Sequence, residues 1–163
     1  MSNIANNLIS ASNCGADYNN LNPVVMEAYT DLIAYMPLYE ASCLKNPVSS
    51  AYCYADAITN ASSPTDAYIY ALPLNQSLPG SSQPTCNACL QNTMAIFDAA
   101  AVNRSQPIAS TYVGAAQQID MHCGPNFVSA SLPPPVSSAA TLLIGNWAVR
   151  LAVLLILLGI FMF

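Results

Sequence analysis

The stretch Pro84–Cys123, PTCNACLQNTMAIFDAAAVNRSQPIASTYVGAAQQIDMHC, decides the fold. From Thr85 to about Val102, Leu90, Met94, Phe97 and Ala101 recur at the spacing of one helical face, with Cys86 one turn earlier on the same stripe. From Pro107 to Cys123, Ile108, Tyr112, Ala115, Ala116, Ile119 and Cys123 do the same, and Gly124-Pro125 supplies a C-terminal stop. Two amphipathic helices with Ala-rich apolar faces each need a partner. The pattern therefore predicts an all-α core.

Upstream, Asn22-Pro23, Asn46-Pro47, Ser63-Pro64 and Gln83-Pro84 repeat the signal of Gln106-Pro107. In each, a capping or turn residue precedes a proline whose fixed φ suits the first helical position. Together they predict a bundle of about five short helices. The first runs from Pro23 to about Tyr35 with Val25, Tyr29, Leu32, Ile33 and Met36 on its stripe, and Pro37 breaks or kinks it. The second covers about Pro47 to Ile58, and the third runs from Pro64 to about Ala71, ended by Leu72-Pro73. Gln76–Gln83 is Ser-, Gly- and Pro-rich and reads as a loop. The helical domain is placed at residues 22–128, after a mostly irregular segment 1–21, and no internal repeat is visible.

The chain carries six cysteines, Cys14, Cys43, Cys53, Cys86, Cys89 and Cys123, all outside its C-terminal tail. An even count in a small body predicts three disulfides, whose connectivity the sequence leaves open. Short Ala-rich helices bury little apolar area, and cross-links offset that deficit. A disulfide-stapled domain of this kind requires an oxidising compartment. Asn60-Ala61-Ser62, Asn75-Gln76-Ser77 and Asn103-Arg104-Ser105 fit the N-glycosylation pattern and fall at expected helix ends or loops, which points the same way.

Beyond Val128, Ser129–Ala140 (SASLPPPVSSAA) reads as an extended, unpacked Pro/Ser/Ala linker, and residues 141–163 as a hydrophobic tail. Leu151–Phe163 (LAVLLILLGIFMF) has no polar side chain. Taken from Leu142, the tail reaches the length of about 20 residues that spans a bilayer core, with Arg150 deep inside it. Taken as a glycosylphosphatidylinositol (GPI) attachment signal, it has its small residues at Ser137, Ser138 and Ala139, a spacer from Ala140 to Arg150 and an apolar end. The second arrangement fits with fewer exceptions, and both make the membrane a partner. The opening MSNIANNLIS has neither a basic nor an apolar leader region. The expectation is that a leader precedes Met1 in the full protein; the alternative is a tail-anchored protein whose body faces the cytosol.

Three basic against eight acidic residues give a net charge of -5, with no Lys/Arg cluster to meet a phosphate backbone, so nucleic acid is excluded as a partner. Cys86-Asn87-Ala88-Cys89 is the one motif with redox or metal chemistry in its repertoire. It lacks the preceding strand of a thiol oxidoreductase and the second ligand pair of a zinc site, and reads as two structural cysteines bonded to different partners. His122, the sole histidine, has no nucleophile motif beside it, and its place before a helix C-terminus suits the helix dipole. Scattered carboxylates give no close pair for acid–base work unless folding assembles one. No catalytic, cofactor or metal residue is assigned, and the chain is expected not to be an enzyme. The nine tyrosines, including the pairs Tyr35/Tyr39, Tyr52/Tyr54 and Tyr68/Tyr70, are expected mostly in the core with a wet hydroxyl.

Several pieces carry a resemblance: Ser62-Ser63-Pro64-Thr65-Asp66, Leu72-Pro73-Leu74, Pro84-Thr85-Cys86-Asn87-Ala88-Cys89-Leu90, Thr93-Met94-Ala95-Ile96-Phe97 and Cys123-Gly124-Pro125-Asn126-Phe127-Val128. Over about Cys43 to Val128 the chain resembles an uncharacterised cysteine-containing domain of fungal, mainly ascomycete, secreted or GPI-anchored proteins. The resemblance implies a helical protein of the cell surface or cell wall and carries over no catalytic residue. The expectation is a non-enzymatic, membrane-anchored extracellular glycoprotein, with cell-wall polysaccharide or surface proteins as partners. A surface module for an apolar small molecule or a carbohydrate is the alternative, and a tail-anchored protein with a cytosolic domain is another.

Overall fold

A computed structural model describes residues 1–132 and 134. Six α-helices and one 3-10 helix follow in order: α1 (Ser2–Leu8), α2 (Gly15–Asn19), α3 (Pro23–Ser42), α4 (Cys53–Thr59), the 3-10 helix Pro64–Leu74, α5 (Ala88–Ala101) and α6 (Ile108–Cys123). Among the described residues there is no strand, only an isolated antiparallel bridge between Lys45 and Tyr52. The fold is the all-α, disulfide-stapled domain the pattern predicts.

The core lies where α5, α6 and the 3-10 helix meet. Leu90, Met94, Phe97 and Ala101 of the expected α5 stripe are buried, as are Ile108, Tyr112, Ala115, Ala116 and Ile119 of α6, while Cys86, placed one turn earlier on the α5 stripe, is exposed. Ile69, Tyr70 and Leu72 of the 3-10 helix, Leu78 of the following loop, Ala41 of α3 and Val128 complete the cluster. Full burial of a Phe, Leu or Ile contributes roughly 1.5 to 3 kcal/mol. Gly124, at φ 105° beyond Cys123, ends α6 in a conformation that L side chains rarely adopt.

Several boundaries differ from the sequence reading, each for a local reason. Pro37 does not end the first helix: α3 runs through it to Ser42, and Ala34, Pro37 and Ala41 form its most buried face. An interior proline costs about 3 kcal/mol, and close packing of three small residues offsets it here. The expected stripe is displaced accordingly, with Val25, Tyr29, Leu32 and Ile33 half-buried and Met36 exposed. Asn46-Pro47 starts a turn instead of a helix. The Asn46 side chain accepts hydrogen bonds from the Val48 and Ser49 amides, Ser50 adopts φ 61°, and α4 begins only at Cys53. A Ser-rich segment offers no apolar face to repay helix formation there. Pro73 sits inside the 3-10 helix, which Asn75 ends in the left-handed region at φ 62°. The α5 helix starts later than Thr85, because Asn87 is its cap: its Oδ1 accepts from the Leu90 amide at 2.9 Å.

The N-terminal segment is not irregular. It forms α1 and α2, Ala5 is fully buried, and both helices pack on α3. Gly15 makes the close turn between them, since a Cβ there would lie 2.7 Å from the Ser10 carbonyl oxygen. At the other end the first residues placed in the linker are packed. The Tyr112 hydroxyl donates to the Ser129 carbonyl at 2.7 Å, and Ala130 and Leu132 pack against the core. The tail 141–163 and the attachment residues Ser137, Ser138 and Ala139 lie outside the described residues; among those described, no helix is long and apolar enough to cross a membrane.

Candidate functional site

The structure joins four of the six cysteines. Cys53 bonds Cys89, tying the start of α4 to the first turn of α5, and Cys86 bonds Cys123, tying the loop before α5 to the end of α6. Cys86 and Cys89 thus take different partners. The expected third bridge is not formed: Cys14 and Cys43 are free. Cys43 is carried to the exposed C-terminal end of the extended α3, while Cys14 sits half-buried in the turn before α2.

The two bonds differ in surroundings. Cys53 and Cys89 are 1% and 8% exposed and lie in the wall of a pocket of about 70 Å³. Cys86 is exposed and Cys123 half-buried, and exposed His122 stands beside them. The donor atoms of Cys86, His122 and Cys123 all lie within 4.8 Å of one another.

Between the bonds sits a feature the sequence did not reveal. Asp66, 8% exposed, accepts from the Ser63 hydroxyl (2.8 Å) and the Thr85 amide (2.6 Å) on one oxygen. Its other oxygen accepts from the Thr85 hydroxyl (2.8 Å) and the Asn60 side-chain amide (2.8 Å). Four donors satisfy a buried carboxylate without a cation. The carboxylate locks the 3-10 helix, the end of α4 and the loop before α5 into one unit. The Ser63-Pro64-Thr65-Asp66 run, a cap box in form, was the available signal, but Thr85 comes from a distant part of the chain.

Folding does bring carboxylates together in two places. Asp56 and Asp66 line the 70 Å³ pocket, yet Asp66 is fully hydrogen-bonded and Asp56 accepts from Asn46 at 2.9 Å. That volume holds a water or two, against roughly 300 to 1,000 Å³ for a small-molecule site. Asp98 and Asp120 line a groove of about 670 Å³ that is open to solvent and bordered by Gln91, Tyr112 and the segment 126–131. Asp120 accepts from the Val128 amide, whereas Asp98 Oδ1 is buried without a partner, and burial raises the Asp98 pKa above the usual carboxylate value. Burial also raises the Tyr112 phenol, helped by the negative charges of Asp98 and Asp120. It raises the Tyr70 phenol too, against the opposing hydrogen bond with Thr93.

The sequons are placed unequally. Asn75 and Asn103 are exposed, and Asn103 Oδ1 accepts from the Ser105 hydroxyl at 2.7 Å. Asn60 is half-buried, and the amide nitrogen a glycan would join donates to Asp66 and Thr85. The tyrosines divide as well: Tyr70 and Tyr112 are buried, while Tyr35 and Tyr39 stack in parallel on exposed α3 with ring centres 6.0 Å apart. Tyr52 and Tyr54 are exposed, Lys45 lies over the Tyr52 ring, and Tyr54 meets Tyr70 edge to face. The expectation of mostly core tyrosines is corrected on this point.

A small all-α domain with two cross-links, one buried and one exposed, around a hydrogen-bonded carboxylate is the class these features define. The chain belongs to the family described as a domain of unknown function (DUF7729), whose model matches residues 1–132. That match takes in α1 and α2 and ends at Leu132. No curated protein and no solved structure matches the chain.

Proposed function

We propose that this protein is a non-enzymatic, GPI-anchored glycoprotein of the outer cell surface, fungal in origin, acting in wall architecture or in contacts with wall polysaccharide and surface proteins. The observation that carries the reading is the pair of cysteine bridges, one of them open to solvent. Such bridges persist outside the cytosol and are reduced within it. Asn75 and Asn103 are the better-presented glycan acceptors, and the Pro-, Ser- and Ala-rich sequence up to Ala140 reads as a spacer between the domain and the bilayer. At the Asp56–Asp66 pocket, the oxygens of Asp66 are engaged by neutral donors and the volume is too small for a substrate, which weighs against catalysis there.

Treating intact cells with a phosphatidylinositol-specific phospholipase tests the anchor. Release of the protein into the medium is expected. Retention, with the peptide Leu151–Phe163 still present by mass spectrometry, overturns it.

A further inference from the structure

We propose that the exposed Cys86–Cys123 disulfide is a reducible clasp, and that the two thiols it releases form, with His122, a binding site for zinc(II).

Access comes first. Thiol–disulfide exchange requires an attacking thiolate to reach a sulfur, so exposed bonds are the labile ones. Cys86 is exposed, whereas Cys53 and Cys89 are 1% and 8% exposed and the adjoining pocket of about 70 Å³ is too small for a dithiol reductant. A dithiol opens the clasp in two steps. Its thiolate attacks one sulfur, forming a mixed disulfide and expelling the other cysteine as thiolate; its second thiol then closes on the mixed disulfide and frees the second cysteine. The reductant leaves as a cyclic disulfide, having supplied two electrons and two protons.

Geometry comes second. The His122 donor atom lies within 4.8 Å of both sulfurs, against separations of about 3.5 to 3.8 Å implied by tetrahedral zinc with Zn–S near 2.3 Å and Zn–N near 2.0 Å. Two sulfurs no longer bonded must move apart to about that distance. Two thiolates and one imidazole are a zinc donor set that leaves the fourth position for water.

Contacts other than the clasp hold the backbone on both sides of the site, and these keep its ligands near one another when it opens. Thr85, before Cys86, is tied to Asp66 through both amide and hydroxyl, and Asn87, after it, caps α5. Beyond Cys123, Gln91 donates to the Phe127 carbonyl at 3.1 Å and the Val128 amide donates to Asp120 at 2.9 Å. Sites held by such supporting contacts lose little order on binding. The inference does not rest on the cell-surface reading, since it concerns the domain wherever a dithiol meets it.

The test uses the full chain with Cys14→Ser and Cys43→Ser, so that the only cysteines are the four bridged ones. After limited dithiothreitol treatment and anaerobic desalting, alkylation and peptide mapping should find Cys86 and Cys123 labelled and Cys53 and Cys89 still linked. Zinc chloride titrated against a chromophoric chelator should then load one ion per chain and protect Cys86 and Cys123 from alkylation. His122 is exposed, so His122→Ala leaves the fold intact and should weaken zinc by about tenfold or more. Labelling of Cys53 and Cys89 first, no zinc retained by the reduced chain, or equal zinc affinity in His122→Ala would each overturn the proposal.

Discussion

The α3 side of the molecule and the α5–α6 side are held together by different means. On the α5–α6 side, large side chains such as Phe97, Met94, Tyr112 and Ile119 are fully buried, two disulfides close the rim and Asp66 pins the connecting loop. On the α3 side the fully buried residues are Ala5, Ala34 and Ala41, the larger ones at Val25, Tyr29, Leu32 and Ile33 are only half-covered, and Cys14 and Cys43 are free. The difference teaches where stability resides: a packed and cross-linked half carries a longer helix that adheres through small residues.

Removing the buried bond is the severest challenge to that contrast. The two bridges join residues 36 and 37 apart, so chain entropy assigns each about 4 kcal/mol. Cys53 and Cys89 are also packed, so Cys53→Ala/Cys89→Ala should lose more stability in urea denaturation than Cys86→Ala/Cys123→Ala. Equal losses would reduce both bonds to loop closure.

Truncating one side chain on each side sharpens the comparison further. Phe97→Ala should cost about 3 to 5 kcal/mol and Leu32→Ala about 1 to 2 kcal/mol, read from the denaturation midpoint at constant slope. Similar costs would mean that α3 is core after all.

Asp66→Asn comes next. An amide cannot accept four hydrogen bonds and turns a donor toward the Thr85 amide or Asn60, so a loss of about 2 kcal/mol is expected, with faster hydrogen exchange at Thr85. An unchanged midpoint would remove the carboxylate from the account.

The smallest effect is at high pH. The Tyr70 and Tyr112 phenols have folded pKa values raised by burial, so their contribution is intact below pH about 10 and is lost as pH rises from there through the folded values. In a spectrophotometric titration the exposed tyrosines should ionise first and these two only as the fold opens. Ionisation of all nine in one step without unfolding would contradict their burial.

The two sides also differed in how far they could be read from the sequence. For α5 and α6 the apolar stripe from Leu90 to Ile119 and the Gly124 stop agree with the structure, whereas Cys86 is exposed, Cys123 is half-buried, and α5 is capped by Asn87 and not at Gln83-Pro84. In α3 apolar residues face all round, so the small-residue face that packs was invisible, and a buried Pro37 was tolerated by tertiary contacts that no local rule contains. Asn46-Pro47 and Asn22-Pro23 share one signal, yet the following residues make one a turn and the other a helix. The Asp66 lock and the pairing of the cysteines depend on residues far apart in the chain, which periodicity does not connect.

Peptide mapping of the native protein under non-reducing conditions tests the central claim most directly. Cys53 linked to Cys89 and Cys86 linked to Cys123, with Cys14 and Cys43 carrying free thiols, is the predicted result. A bond between Cys86 and Cys89, or four unlinked cysteines in that half, would contradict it.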